Sequence, residues 1–189
     1  MLNVKRTMMI MLLSLMIPAL ACAGEIKTEV IYPKDAIPVV GGQSELALWV
    51  EDGRKETVFG RAVDGEYLVS ASDVAASLYA HMTSSLKAAG YQVVPFNPDH
   101  ANGMLVRIQS ITYSSEREMF KSKVGVKVAL EVKMNSSDVT RTYRAAVEQQ
   151  FALSPSPEEN GSTIGNGLST AAAAALADLK LAEANPAAE

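Results

Sequence analysis

The chain has 189 residues, with 17 basic and 21 acidic side chains, a formal net charge of −4 and a single cysteine. An acidic balance without clustered Lys and Arg argues against general binding to nucleic acid or to anionic lipid head groups, both of which want such clusters. One cysteine allows no disulfide within the chain, so packing alone must hold the fold.

Residues 1–21 have the shape of an export signal. Lys5 and Arg6 form a basic start, residues 8–20 are apolar apart from Ser14 and Pro18, and Ala19-Leu20-Ala21 precedes Cys22. The apolar run is shorter than the ~20 residues that span a bilayer. Two cleavages fit. A lipoprotein signal peptidase would cut before Cys22, whose thiol then carries diacylglycerol and whose freed amine is acylated. The box it reads would be Ala19-Leu20-Ala21-Cys22, with Ala19 where Leu is usual. An ordinary signal peptidase would instead use an A-x-A pattern ending at Ala21 or Ala23 and release a soluble periplasmic protein. Lipidation is favoured, because it gives the odd cysteine a chemical role. Several acyl chains on one residue also anchor stably, whereas one chain binds only marginally. Cutting at Cys22 leaves 168 residues and removes Lys5 and Arg6, which moves the net charge to −6. A chain of that length is one ordinary domain that buries ~70% of its unfolded surface.

Residues 22–44 read as the lipidated cysteine and a tether. Pro33, Pro38, Gly41 and Gly42 interrupt regular structure, and Val30-Ile31-Tyr32 is an apolar stretch suited to an edge strand. A free tether of ~20 residues reaches ~70 Å. Residues 45–184 form the expected domain, and 185–189 a disordered tail. Residues 46–50 (LALWV) are a strand ended by Asp52-Gly53, residues 54–66 are polar and turn-rich, and 67–69 are a further short strand. A helix follows, capped by Ser70 or Ser72, with Asp73 suited to its positive end. Val74, Leu78, Met82 and Leu86 recur every four residues as its apolar stripe, and Gly90 stops it. Residues 91–94 and 104–113 are strands.

Residues 123–134 alternate with period two: Val124, Val126, Val128, Leu130, Val132 and Met134 against Lys123, Gly125, Lys127, Ala129, Glu131 and Lys133. Asn135-Ser136-Ser137-Asp138 is turn chemistry. The return strand, 139–152, sets Val139, Tyr143, Ala145, Val147 and Phe151 against Thr140, Thr142, Arg144, Glu148 and Gln150. Apolar faces match only if Met134 roughly opposes Val139, because a one-residue slip turns the set to solvent. The last helix opens on Ser156-Pro157-Glu158-Glu159, a cap, a proline at the first position and a capping box. Ile164, Leu168, Ala171, Ala175 and Leu179 form its inner stripe, and Gly161, Gly165 and Gly167 either permit close approach or leave the first turns loose. The order predicts an α+β fold of two layers, with both amphipathic helices on one face of a mixed or antiparallel sheet.

The pieces LALWVEDGR (46–54), LKAAGYQVVP (86–95), MLVRIQSITY (104–113) and above all TYRAAVEQQFALSPSPEEN (142–160), followed by LST and ALADLKL, resemble the YajG-like family of bacterial lipoproteins. The likeness runs from about Tyr32 to Leu181. It implies a signal-bearing, usually lipidated envelope protein with a small α+β domain, and it brings no activity and no catalytic residue to transfer. Ala23, which is not Asp, implies the outer membrane under the bacterial sorting rule that the resemblance imports.

Few residues point to chemistry. His81 and His100 read as surface histidines, far short of the three or four converging ligands of a metal site, so no metal is expected. There is no G-x-S-x-G, no phosphate loop and no H-E-x-x-H. Glu158-Glu159 complements a helix start, and Glu116 with Glu118 belongs to a loop charge cluster beside Arg117 and Lys121. An enzyme would need a cleft joining His100, Asp99 and Asp52, so no catalytic residue is assigned. Asp52 and Arg54 follow a strand at a turn, where they read first as a turn acid and a solvated or salt-bridged arginine and second as a ligand or partner contact. Arg144 is expected on the polar sheet face, paired with Glu148 or Glu131, with a partner contact as its second reading. Trp49 and Tyr143 are expected as core anchors. The leading expectation is a non-catalytic, lipid-anchored, periplasm-facing envelope protein with no cofactor beyond the covalent lipid on Cys22, docking an envelope protein through its sheet face or an edge. The alternative is a small-ligand or lipid-binding module with a pocket lined by Met82, Leu86, Val106 and Ile108.

Overall fold

The alternating segment forms the middle of the sheet. The computed structural model describes residues 24–39, 41–136 and 139–179; the signal, Cys22 and the tail at 185–189 lie outside them. Strand β7 (Lys121–Met134) turns Val124, Val126, Val128, Leu130 and Val132 to one face, where all are buried. It pairs antiparallel with β6 (Gly103–Glu118) on one side and β8 (Thr140–Phe151) on the other. Lys133 opposes Thr140, the same register that, continued by one pair, sets Met134 against Val139 as expected.

The other edge of β6 is divided. Strand β2 (Glu45–Asp52) runs parallel to its first half, and β3 (Val58–Arg61) meets its second half where Gly60 opposes Tyr113. A register shift between Ile108 and Ser110 lets the first half of β6 bury Val106 and Ile108 and the second half bury Ile111 and Tyr113 on the same face. Beyond β2 lies β5 (Gln92–Pro95), parallel to it. Beyond β3 lie β4 (Tyr67–Ser70), antiparallel, and then β1 (Glu25–Thr28), parallel to β4. The eight strands thus form one mixed, forked sheet. Strand β3 falls in the stretch expected to be turns. It has four residues and one bulky buried side chain, Phe59, too few to show a period.

Both helices cover the same face. Helix α1 (Val74–Ala88) lies on β2 and β5, and its stripe of Val74, Leu78, Met82 and Leu86 is fully buried. Its cap is Asp73, whose Oδ1 accepts from the Ala76 N–H at 3.0 Å. Neither expected serine does this: the Ser70 hydroxyl donates to the Ser72 carbonyl instead. Helix α2 (Pro157–Ala177) lies on β7 and β8 and touches β1. The capping box forms, with the Glu159 N–H donating to Ser156 Oγ at 3.2 Å and the Ser156 N–H to Glu159 Oε2 at 2.8 Å. Among the described residues, no helix is long and apolar enough to cross a membrane.

The segment expected as a tether lies against the body. Strand β1 precedes the expected Val30-Ile31-Tyr32 stretch, and Val30 and Ile37 are buried in the core. The Ile31 N–H donates to the Gly161 carbonyl at 3.2 Å, and the Ile37 N–H to Ser85 Oγ at 2.9 Å. The glycines of α2 make this possible: a Cβ on Gly161 would stand 2.0 Å from the Glu29 carbonyl oxygen, and one on Gly165 2.0 Å from that of Ile31. They bring the helix onto the backbone of residues 29–31.

Candidate functional site

Three places carry side chains that the fold does not use up: the fork, the uncovered sheet face, and the tip of the β6–β7 hairpin. At the fork, β2 stops pairing when the Gly53 N–H donates to the Ile108 carbonyl at 3.0 Å, and the chain crosses to β3. A concavity of about 550 Å³ opens there, bounded by Arg54, Phe59, Gln109 and Ser110. Of the two readings expected for Arg54, solvated or salt-bridged, the structure shows the second, with Asp52 as its partner. Arg54 Nε donates to Asp52 Oδ1 at 2.9 Å and Nη2 to Oδ2 at 2.7 Å, while the guanidinium lies over the Phe59 ring with its carbon 5.0 Å from the centroid. The hydrogen bond from Arg54 holds the Asp52 carboxyl below its ordinary range. Arg54 Nη1 is buried with no hydrogen-bond partner among the described residues.

On the uncovered face, register sets Trp49, Leu105, Lys133 and Thr140 in one row and Glu51, Arg107, Glu131 and Thr142 in the next. Trp49 is 52% exposed, which corrects its expected place in the core. Leu46, Leu48 and Val50 take the covered face of β2, so alternation sends Trp49 outward. Glu51 and Arg107 form an ion pair beside it. Arg144 is exposed on this face opposite Ala129, but its expected partners are taken: Glu148 binds Lys123 at 3.0 Å, and Glu131 accepts from Gln109 at 2.7 Å. Arg144 is on β8, two strands beyond β6, so the structure does not bring it to Asp52 and Arg54. Tyr143 packs partly against the core and donates to Asp178 Oδ2 at 2.7 Å.

The hairpin tip was not legible as a site. Glu116 and Glu118 belong to β6, not to a loop, and Glu118 opposes Lys121. Two residues, Met119 and Phe120, close the turn, 94% and 85% exposed. Leu153, just past β8, is 78% exposed beside them, and a concavity of about 430 Å³ lies between. The available signal was Met-Phe inside the otherwise polar run SSEREMFKSK.

The two histidines also differ from expectation. His81 is half-buried. Its ring stacks on Tyr32 with centroids 4.4 Å apart, and its Nε2 lies 3.0 Å from Ser169 Oγ, so it joins α1, α2 and the N-terminal segment. Burial lowers its pKa and raises that of Tyr32. His100 Nδ1 accepts from the Asn102 N–H at 3.2 Å at the start of β6, whereas Asp52 opposes Ile108 in its middle, so these groups do not converge. Met82, Leu86, Val106 and Ile108 are fully buried members of one continuous core. Among the described residues, no three His, Cys, Asp or Glu side chains cluster in a way that could hold a metal ion.

Solved structures that match the chain include a crystal structure titled only as an uncharacterized protein, 11% identical with a TM-score of 0.34, covering 85% of this chain and 97% of that one. Another is the lipoprotein GNA1162 from Neisseria meningitidis, 14% identical with a TM-score of 0.35, covering 61% of this chain and 88% of that one. No curated protein matches the sequence. A family model described as "uncharacterized lipoprotein" matches residues 33–184, which include the fork, the uncovered face, the hairpin tip and both helices. The chain belongs to this family of lipoproteins.

Proposed function

We propose that the protein is held by a lipid on Cys22 at the periplasmic face of the outer membrane and docks another envelope protein through its uncovered sheet face. The observation that carries the docking is the half-exposed Trp49, set beside Leu105 and framed by Glu51 and Arg107. A flat aromatic flanked by a charged pair is the composition of an interface anchor, since Trp, Tyr and Arg dominate binding energy where they are desolvated. The fitting partner presents an apolar side chain to Trp49 and opposite charges to its flanks. A photo-crosslinking residue in place of Trp49, activated in intact cells, should give one dominant protein adduct, and the same residue at Ala101 should not. Adducts absent at Trp49 in a membrane-bound protein would overturn the docking. The anchor has its own test: Cys22→Ala should release the protein from membranes, and an N-terminal mass without acyl chains would overturn it.

A second reading, a site for a small anionic ligand, is favoured by the unpartnered Nη1 of Arg54 at the fork. A ligand there would complete the hydrogen bonding of a buried guanidinium. Thermal stabilisation by candidate anions that disappears in Arg54→Lys would support it.

A further inference from the structure

We propose that the Met119–Phe120 tip, with Leu153 beside it, dips into the same bilayer leaflet that holds the Cys22 lipid. This rests on the lipid anchor proposed above.

Strand directions fix the geometry. Strand β3 runs parallel to β6, β4 runs against β3, and β1 runs with β4. The start of β1 therefore lies at the end of the sheet toward which β6 runs, the end that carries the tip. Contacts join the two places. The Gly24 carbonyl accepts from the Tyr67 N–H at 2.8 Å, Gly24 lies against Glu66, and in the same β3–β4 turn Asp64 binds Arg117 at 2.7 Å, two residues before Met119.

Chain length removes most of the freedom. Glu25 opposes Tyr67, Tyr67 opposes Arg61, and Gly60 opposes Tyr113, so Glu25 stands level with residue 114. Met119 is five residues further out, ~17 Å at ~3.4 Å per residue. Cys22 is three residues before Glu25, a reach of at most ~10 Å. Even with those residues pulled straight toward the membrane, the tip leads Cys22 by several ångströms. An anchor at the head-group level then sets the tip at the ~5–10 Å depth at which apolar side chains lie in the head-group and acyl boundary.

The chemistry of the tip agrees. Two-residue hairpin turns ordinarily take Asn, Asp or Gly. Here Met119 occupies a positive φ of 35°, a conformation L side chains rarely adopt. Two bulky apolar side chains at the apex serve no packing purpose in the isolated domain. Glu116, Arg117, Glu118 and Lys121 behind them balance in charge. Apolar contact therefore drives the insertion, which should occur equally in zwitterionic and anionic lipid.

The test uses full-length protein, lipidated in cells, purified and reconstituted in phosphatidylethanolamine-containing vesicles, with Phe120→Trp in a Trp49→Phe background. The N-terminal mass is measured first. Emission from position 120 should shift to the blue and be quenched by shallowly brominated lipid. Ala101→Trp, at the opposite end of β6, should stay red and unquenched. Position 120 is exposed, so the substitution leaves folding intact, which circular dichroism checks. A lipidated protein whose position 120 stays unquenched overturns the tip proposal alone, and a protein crosslink at 120 in cells would then name a protein as its occupant. An N-terminus without lipid overturns the anchor and the tip together.

Discussion

The two helices cover the same sheet face by opposite means. Helix α1 fills space with Val74, Leu78, Met82 and Leu86, bulky side chains that are fully buried against β2 and β5. Helix α2 presents Gly161 and Gly165 where it meets residues 29–31 and small alanines along its later turns. The first contact depends on volume and the second on its absence. Removing atoms should therefore damage one, and adding atoms should damage the other.

The largest expected effect is at the bulky contact. Leu78→Ala leaves a cavity that neighbours refill only in part, a loss of ~2–5 kcal/mol readable by urea denaturation. At the small contact the sign inverts. Gly165→Ala improves helix propensity by ~1 kcal/mol, yet its Cβ meets the Ile31 carbonyl oxygen, and overpacking of this kind costs ~1–3 kcal/mol. The N-terminal segment should loosen first, seen as faster tryptic cleavage after Lys27 and Lys34 while α1 stays folded. An accelerated cleavage in Leu78→Ala but not in Gly165→Ala would reverse the contrast. Between these lies Tyr113→Phe. The Tyr113 hydroxyl donates to Asn160 Oδ1 at 2.6 Å inside the core, and leaving that amide unsatisfied costs ~1–3 kcal/mol.

The helices also meet through His81. Burial keeps its folded-state pKa below the unfolded value near ~6.5. The unfolded chain thus binds the extra proton first, and stability falls as pH drops from ~6.5 toward the folded-state pKa. His81→Gln should flatten that part of the stability-against-pH curve relative to wild type. The smallest effect is expected at Arg144→Ala. Its side chain is exposed and holds no ion pair among the described residues, so the change should stay within ~0.5 kcal/mol.

The periodic parts of the chain were legible. Period two in 123–134 and period four in 74–86 name the buried side chains, and Ser156 with Glu159 names a cap, because each signal is local and repeated. Strand β3 was not legible, because Phe59 alone marks it. The docking of residues 24–39 was hidden for another reason: it depends on glycines more than 120 residues away in sequence. Trp49 was misplaced because size was weighed above parity, although alternation with Leu48 and Val50 already pointed it outward. Asp52 and Arg54 were legible as a turn acid and a candidate salt-bridged arginine because only Gly53 separates them. The hairpin tip needed strand ends that sequence places poorly.

The clasp between residues 29–31 and Gly161 has a consequence for biogenesis. A part of the body near the start of the chain is locked by one near its end. Until the C-terminal helix has been made and docked, β1 lacks its cover, and Val30 and Ile37 lack a finished core. Such distant closure is slow, because the intervening loop must be ordered first. A chain truncated before Gly161 should therefore remain protease-sensitive near its start, and a chaperone would have a defined interval in which to hold it.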